Sequence, residues 1–147
     1  MSTKRRRRME NKGESNLKWL AKLTRTYQKE LDQALAPLKL NSTNYYFIVK
    51  IHDYHQLKQE ELIKLTGLDG SNVTRTIQKL TKMGLVTKEK STQDRRSFLL
   101  ELTKKGQELH AQVVESVENA QKKFLSKLTA DEQGTFEYLL GKLAQEE

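Results

Sequence analysis

The chain has 147 residues, no cysteine, a single proline and a formal net charge of +8 at pH 7. The lack of thiols excludes disulfide bridges, thiolate catalysis, cysteine-ligated zinc and thiol-based redox sensing. The longest apolar or aromatic run, YYFIV, is too short to cross a bilayer, and the basic first residues lack the apolar core of an export signal. We therefore expect one cytoplasmic domain with no membrane partner.

The positive charge is concentrated in two segments. Residues 1–12 hold six lysine or arginine residues against one acid, and residues 70–96 hold seven against two. Residues 130–147 are acidic instead, with five acids against one lysine. A body that is basic on one side favours a polyanionic partner such as nucleic acid.

Hydrophobic periodicity predicts that the first part of the chain is helical. Apolar residues recur at three- and four-residue steps from Leu20 to Leu35, which indicates a long amphipathic helix ending before Pro37. The segment LNSTNYYFIVKIHDY follows and predicts a second helix with Asn41 or Ser42 as its N-cap.

Two further helices are predicted in the middle of the chain. The segment QEELIKLTG indicates a short helix that Gly67 closes. In SNVTRTIQKLTKMG, Ser71 is the predicted N-cap of a fourth helix and Gly84 is its stop. The apolar stripe of this helix consists of Val73, Ile77 and Leu80.

The hydrophobic period then changes from that of a helix to that of a strand. VTKEK alternates, STQDRR has the composition of a turn, and SFLLEL alternates again, so these segments predict a β-hairpin. The residues sharing one face of its second strand are Phe98, Leu100 and Leu102. Thr103 is placed to cap a long fifth helix, and a capping box of Thr129 and Glu132 starts the sixth.

Two helices joined by a short turn and followed by a basic hairpin are the parts of a winged helix-turn-helix. A helix fits the major groove of B-DNA, and a thin ribbon can lie along the backbone and reach the neighbouring minor groove. The fourth helix carries side chains that can bond base edges and phosphates. These candidate DNA-binding residues are Ser71, Asn72, Thr74, Arg75, Gln78 and Lys79.

The hairpin supplies a second set of candidate contacts. Arginine enters narrow minor grooves, and an adjacent carboxylate can hold a guanidinium in a fixed fork. We therefore expect Asp94 to orient Arg95 and Arg96 at the tip of the wing, while Lys88 and Lys90 contact phosphates. The competing interpretation is that the arginines are ordinary solvated turn residues.

At these positions the chain resembles the MarR family of bacterial transcription regulators. The family's wing signature runs aspartate, any residue, arginine, three residues, leucine, any residue, leucine, threonine. It is matched by Asp94, Arg96, Leu100, Leu102 and Thr103. The similarity extends to NVTRTIQKLTKMGLV and LNSTNYYFI and covers most of residues 17–145.

The resemblance implies a homodimer with interleaved terminal helices that binds pseudo-palindromic duplex DNA and represses transcription. For many relatives it also implies release from DNA when a small aromatic or phenolic effector binds. The apolar stripes of the first and last two helices independently favour a dimer, because they exceed what a small winged core can cover.

We therefore predict an α+β fold, mainly α with a small β-hairpin wing. Residues 1–14 would form a flexible basic tail and residues 15–147 a single winged-helix regulator domain. Within that domain, residues 40–103 would be the DNA-binding lobe, and residues 15–38 and 104–147 the dimerisation helices.

The basic tail KRRRR has two interpretations. It is either an arm that reaches along phosphates or into a minor groove, or a disordered solubilising end. Met9 is an alternative start of translation, which would make residues 1–8 dispensable.

Aromatic and histidine residues raise two further hypotheses. The aromatic residues predicted to form an effector pocket are Trp19, Tyr27, Tyr45 and Tyr46, although aromatic residues at helical spacing more often belong to a core. The three histidines His52, His55 and His110 raise the hypothesis of metal sensing. Without cysteine, a four-ligand site would also need an aspartate or glutamate ligand, and the sequence does not identify one. We expect ordinary partly exposed histidines, no metal site and no cofactor.

The sequence does not indicate an enzyme. It contains no phosphate-binding loop, no nucleophile elbow and no pair of carboxylates at a recognisable spacing. The alternative to a sequence-specific regulator is a winged-helix module without ligand response, which binds nucleic acid non-specifically or binds a protein partner.

Overall fold

The computed structural model describes residues 15–145. Its helices are α1 (Ser15–Leu35), α2 (Tyr45–Tyr54), α3 (Gln59–Thr66), α4 (Gly70–Lys82), α5 (Lys104–Phe124) and α6 (Ala130–Ala144). Its strands are β1 (Leu57–Lys58), β2 (Val86–Lys90) and β3 (Phe98–Leu102), and a short 3-10 helix, Ala36–Leu38, follows α1. This order confirms the predicted helices and hairpin, while the basic tail predicted for residues 1–14 lies outside the described residues.

The sheet has three strands, whereas the sequence predicted two. β2 and β3 form the predicted antiparallel hairpin, with Val86 opposite Leu102 and Lys90 opposite Phe98. β1 pairs antiparallel with the other edge of β3, so the strand order is β1-β3-β2. β1 was missed because two residues are too few to show an alternating pattern.

One hydrophobic core holds α4 against the rest of the winged lobe. Val73, Ile77 and Leu80 are fully buried, which confirms the predicted stripe of α4. Phe47 from α2 and Leu100 from β3 are fully buried in the same core. Burying such side chains stabilises the fold by roughly 1.5–3 kcal/mol each, and it fixes which face of α4 points outward.

Local groups set where the helices begin and end, and three of the predicted signals are confirmed. Gly67 ends α3 with a left-handed φ of 68°. Thr103 caps α5, with its hydroxyl oxygen accepting from the Gly106 amide at 3.0 Å. The capping box of Thr129 and Glu132 is present at the start of α6.

The predicted capping residue of α2, Asn41, acts one turn before the residue at which the helix begins. The helix is preceded by Asn44, whose side chain does not cap it. The Asn41 Oδ1 instead accepts from the backbone amides of Thr43 and Asn44, each at 2.9 Å. Asn41 therefore stabilises the turn before the helix, because a short amide side chain readily bonds the backbone two or three residues on.

Residues 19–23 of α1 and the second half of α6 leave apolar surface uncovered. Leu31 and Leu35 are buried at the end of α1, but Leu20 and Leu23 are 54% and 40% exposed. Leu143 in α6 is 85% exposed. An exposed apolar surface of this kind usually marks an interface. No helix among residues 15–145 is long and apolar enough to cross a membrane.

Candidate nucleic-acid interface

The helix α4 presents most of its predicted DNA-binding residues to solvent. Because its apolar stripe is buried, the polar positions between those residues lie on the outer face. The exposed members of the predicted set are Ser71, Asn72, Arg75, Gln78 and Lys79. Thr74 is half-buried, and its hydroxyl is hydrogen-bonded within the protein.

Asp69, rather than the predicted Ser71, caps the start of α4. Its Oδ1 accepts from the backbone amide of Asn72 and from the Ser71 hydroxyl, both at 2.8 Å. Its Oδ2 accepts from the Asn72 Nδ2 at 3.1 Å. A carboxylate is favoured here because it also faces the positive end of the helix dipole.

The hydrogen bonds to Asp69 also affect its ionisation. The backbone amide of Asn72 and then the Ser71 hydroxyl hold the pKa of Asp69 below its usual value. The charged carboxylate thereby fixes the two side chains at the tip of the helix. Sequence reasoning missed Asp69, although an aspartate three residues before Asn72 and directly before Gly70 is an N-cap signal.

Thr74 connects α4 to α3. Its hydroxyl donates to the Gly70 carbonyl at 2.9 Å and accepts from the Gln59 Nε2 at 3.0 Å. The hydroxyl proton is therefore used within the protein, and one lone pair remains for an external donor. Gln59, which the sequence did not single out, holds the first helix of the helix-turn-helix to the second.

The tip of the wing is an ordered turn that Asp94 stabilises through the backbone. The Asp94 Oδ1 accepts from the amide of Arg96 at 3.0 Å, and its carbonyl accepts from the Ser97 amide at 3.0 Å. The predicted fork was wrong: among the side chains that the structure describes, no ion pair joins Asp94 to Arg95 or Arg96. A backbone amide two residues away is the nearer donor, so the carboxylate bonds it first.

Two buried serines stabilise this turn, and one of them joins it to α3. The backbone amide of Ser91 donates to the Ser97 carbonyl at 2.9 Å, which closes the turn. The Ser97 hydroxyl lies 3.1 Å from the Glu60 Oε1 on α3 and 3.4 Å from the Asp94 Oδ2. One hydroxyl proton can serve one of these carboxylates at a time, and it connects the wing to the helix-turn-helix. No local pattern in the sequence indicates this contact.

The basic groups of α4 and the wing are available to an external anion. In the part of the chain whose side chains are described, the ion pairs are Lys50–Asp53 and Lys123–Glu30, and His52 lies beside Asp53. None of them uses a basic residue of α4 or of the wing. The residues in question are Arg75, Lys79, Lys88, Lys90, Arg95 and Arg96. The ammonium of Lys88 lies 4.3 Å from the centre of the Phe98 ring, where a cation is attracted to the face of the ring.

The structure does not bring the four predicted pocket aromatics into one cavity. Tyr27 lines an apolar cavity of about 280 Å³ between α1, α5 and α6, with its ring centre 5.1 Å from that of Phe124. Trp19 is 51% exposed and lies outside this cavity. Tyr45 and Tyr46 lie at the start of α2, where burial, with Tyr27 and Tyr46 adding to it, raises the pKa of Tyr45. Helical spacing along the sequence did not distinguish the aromatic residue that lines the cavity from those that lie elsewhere.

Solved structures share this fold. Wild-type MarR from E. coli in its apo form is 26% identical, with a TM-score of 0.75, covering 87% of this chain and 95% of that chain. A cysteine-to-serine mutant of E. coli MarR complexed with operator DNA has a TM-score of 0.80 at 26% identity, covering 87% and 92%. BpsR from Bordetella bronchiseptica, whose DNA binding is regulated by 6-hydroxynicotinic acid, has a TM-score of 0.83 at 22% identity, covering 91% and 96%.

The helix pair α3–α4 and the basic wing that follows it define a winged helix-turn-helix protein. The MarR family model matches residues 40–98, which run from the turn before α2 into β3. Together with the shared fold, this match confirms the resemblance found in the sequence, which is to the MarR family of DNA-binding transcription regulators.

Proposed function

We propose that the protein is a sequence-specific transcription regulator that binds pseudo-palindromic duplex DNA as a homodimer and represses transcription. The observation that carries the proposal is the two-sided character of α4. Its apolar stripe is fully buried, and its outer face carries exposed Arg75, Gln78 and Lys79 with no ion pair among the described side chains. The operator complex of the E. coli relative supports the same use of the fold.

The predicted residues have distinct roles in this proposal. Arg75 and Gln78 read base edges, since their side chains form bidentate hydrogen bonds in the major groove. Ser71 and Asn72 act from positions that Asp69 fixes, and Thr74 mainly holds α4 in place. The residues that contact phosphates are Lys79, Lys88 and Lys90. Arg95 and Arg96 reach the minor groove from a turn that Asp94 orders through the backbone.

The proposed dimer uses residues 15–38 and 104–147, while residues 40–103 form the DNA-binding lobe. The exposed leucines of α1 and α6 support this division because a single chain leaves them in water. In a two-fold symmetric dimer the two α4 helices would enter successive major grooves, roughly 34 Å apart.

We further propose a small aromatic effector that weakens DNA binding. Of the predicted pocket residues, Tyr27 is the one that lines the apolar cavity, together with Phe124 and Phe136. The regulation of BpsR by 6-hydroxynicotinic acid supports an effector of this chemical class. Phenolic compounds that change neither the melting temperature nor the operator affinity would argue against it.

The test of the proposed function is selection of duplex DNA from a random pool by the full-length chain. We expect recovery of a palindrome whose half-sites are about 10 bp apart, centre to centre. The same selection with residues 9–147 shows whether the basic tail contributes affinity. Weak, salt-sensitive retention of unrelated sequences would instead support the non-specific alternative, in which charge alone drives binding.

A further inference from the structure

The last turn of α2 meets α5 at a pair of stacked imidazoles. The rings of His52 and His110 are nearly parallel, with an interplanar angle of 9° and a distance of 3.4 Å between their centres. Asp53 lies beside them, with its Oδ1 3.7 Å from the His52 Nδ1. One potential ligand atom from each of these three residues lies within 4.8 Å of the other two.

The local environment leaves one of these atoms unsatisfied. The His52 Nδ1 is buried and has no hydrogen-bond partner among the described residues. A cavity of about 410 Å³, lined in part by His52, His55 and Gln107, opens beside the cluster. Of the three cluster residues, His52 lines this cavity, which has room for water beside it. Lys50 approaches only the other Asp53 oxygen, Oδ2, at 3.9 Å, so Oδ1 is available for coordination.

We propose that His52, Asp53 and His110 bind a divalent transition-metal ion of the zinc type, with water completing the coordination. Two imidazole nitrogens and one carboxylate oxygen are ligands that suit this class of ion. Metal–ligand bonds of roughly 2.0–2.2 Å place tetrahedral ligand atoms roughly 3.3–3.6 Å apart, so the cluster needs only a small contraction. The lone pairs of imidazole nitrogens lie in the ring plane, so the stacked rings of His52 and His110 do not aim at one point as they stand, and binding requires one ring to turn about its Cβ–Cγ bond.

This inference reverses the expectation from the sequence. Spacing along the chain placed His52 with His55, and it offered no acid to complete a site. The structure pairs His52 with a histidine from another helix, and Asp53 supplies the acid from the neighbouring position. His55 does not belong to the cluster, since its ring centre lies 6.5 Å from that of His52.

The position of the site also gives it a regulatory role, which rests on the proposed DNA-binding function. α2 belongs to the proposed DNA-binding lobe, and α5 belongs to the proposed dimerisation helices. An ion held by both helices favours one orientation of the lobe relative to the dimer, so it changes operator affinity by its preference for that orientation.

The site is tested by isothermal titration of the full-length chain with ZnCl₂ in a non-chelating buffer. We expect saturable binding of one zinc ion per chain, weakened at least tenfold by His110→Gln and unchanged by the matched control His55→Gln. Absence of saturable binding, or equal binding by wild type and His110→Gln, would overturn the site. A loss that follows His55→Gln instead would overturn it as well.

Two further measurements separate the possible causes of a negative result. Circular dichroism checks that each variant folds, and Asp53→Asn, at an exposed position, provides a second ligand variant. Cobalt(II) absorption gives an independent readout, with ligand-field bands expected for wild type and absent for His110→Gln. Operator affinity that is identical with and without zinc would overturn the regulatory role, whereas zinc binding itself would still support the site.

Discussion

Asp69 holds Asn72 at two points: one carboxylate oxygen accepts from its backbone amide at 2.8 Å, and the other accepts from its side-chain amide at 3.1 Å. The same carboxylate binds the Ser71 hydroxyl. The negative charge of Asp69 would repel DNA phosphates if α4 enters the major groove. Its expected benefit is therefore discrimination between sequences and stability of the helix start, not general affinity.

Asp69→Ala is expected to reduce the ratio of specific to non-specific DNA affinity by roughly tenfold, since Asn72 loses its fixed orientation. Non-specific affinity is expected to stay equal or to rise, because an acidic group near the phosphates is removed. Fluorescence anisotropy with operator and scrambled duplexes measures both. Equal losses on the two duplexes would show that Asp69 does not orient a base-reading residue.

The stability that Asp69 contributes depends on pH. Its pKa is lowered in the folded chain, so its contribution is present above the pKa of the unfolded state and is lost as pH falls through the folded value. We expect the difference in unfolding free energy between wild type and Asp69→Ala to be full at pH 7 and to shrink under acidic conditions. Urea titrations at several pH values check this, and a difference that grows on acidification would contradict it.

Arg75 and Lys88 are expected to affect DNA binding differently. Arg75→Ala should change the preference among operator sequences, because arginine reads base edges. Lys88→Ala should weaken binding to all sequences and lower the salt slope by about 0.9, because one phosphate contact is lost. Anisotropy over a range of salt concentrations measures both effects, with Lys142→Ala on α6 as the control. An unchanged slope for Lys88→Ala would remove its assigned phosphate contact.

Ser97 is expected to couple the wing to α3. Ser97→Ala removes the hydrogen bond to Glu60 and should cost about 1 kcal/mol in unfolding free energy, whereas Ser126→Ala at an exposed position should cost less. A double-mutant cycle with Glu60→Ala measures the coupling directly. Strict additivity of the two substitutions would mean that the serine stabilises the wing without α3.

Gly106 at the start of α5 packs so closely on the backbone of Leu85, between α4 and β2, that a side chain does not fit. A Cβ there would collide with the carbonyl oxygen of Leu85, so Gly106→Ala should cost about 1–3 kcal/mol of unfolding free energy. Gly134 in α6 has no atom within 4 Å of such a Cβ, and Gly134→Ala should stabilise by about 0.5–1 kcal/mol. Thermal or urea unfolding compares the two, and shifts in the same direction would refute the packing argument.

Local patterns predicted most of the fold. The buried stripe of α4, the Thr103 cap and the capping box at Thr129 all depend on residues within one or two turns of each other, so periodicity and capping preferences identify them. Asp69 and Ser71 show the limit of this approach. Both residue types cap helices, and only the backbone geometry shows that Asp69 has the extended conformation that a cap requires.

The contacts that the sequence did not predict join distant segments. β1 exists because β3 pairs with it, Glu60 meets Ser97 across the lobe, and His52 meets His110 from another helix. No spacing rule along the chain reports such contacts, since they arise only when the core brings the elements together. The DNA-contact roles of the wing residues remain predictions for the experiments above.

The passage from β3 to α5 contains a single residue, Thr103. Its amide donates to the Leu85 carbonyl at 3.0 Å, and its hydroxyl donates to the Gly84 carbonyl at 2.6 Å. Lys105 adds a bond to the Met83 carbonyl at 2.9 Å. These hydrogen bonds directly connect the end of β3 and the start of α5 to the segment that follows α4. α5 is about 30 Å long, so a tilt of about 5° at its start would move its far end by about 3 Å.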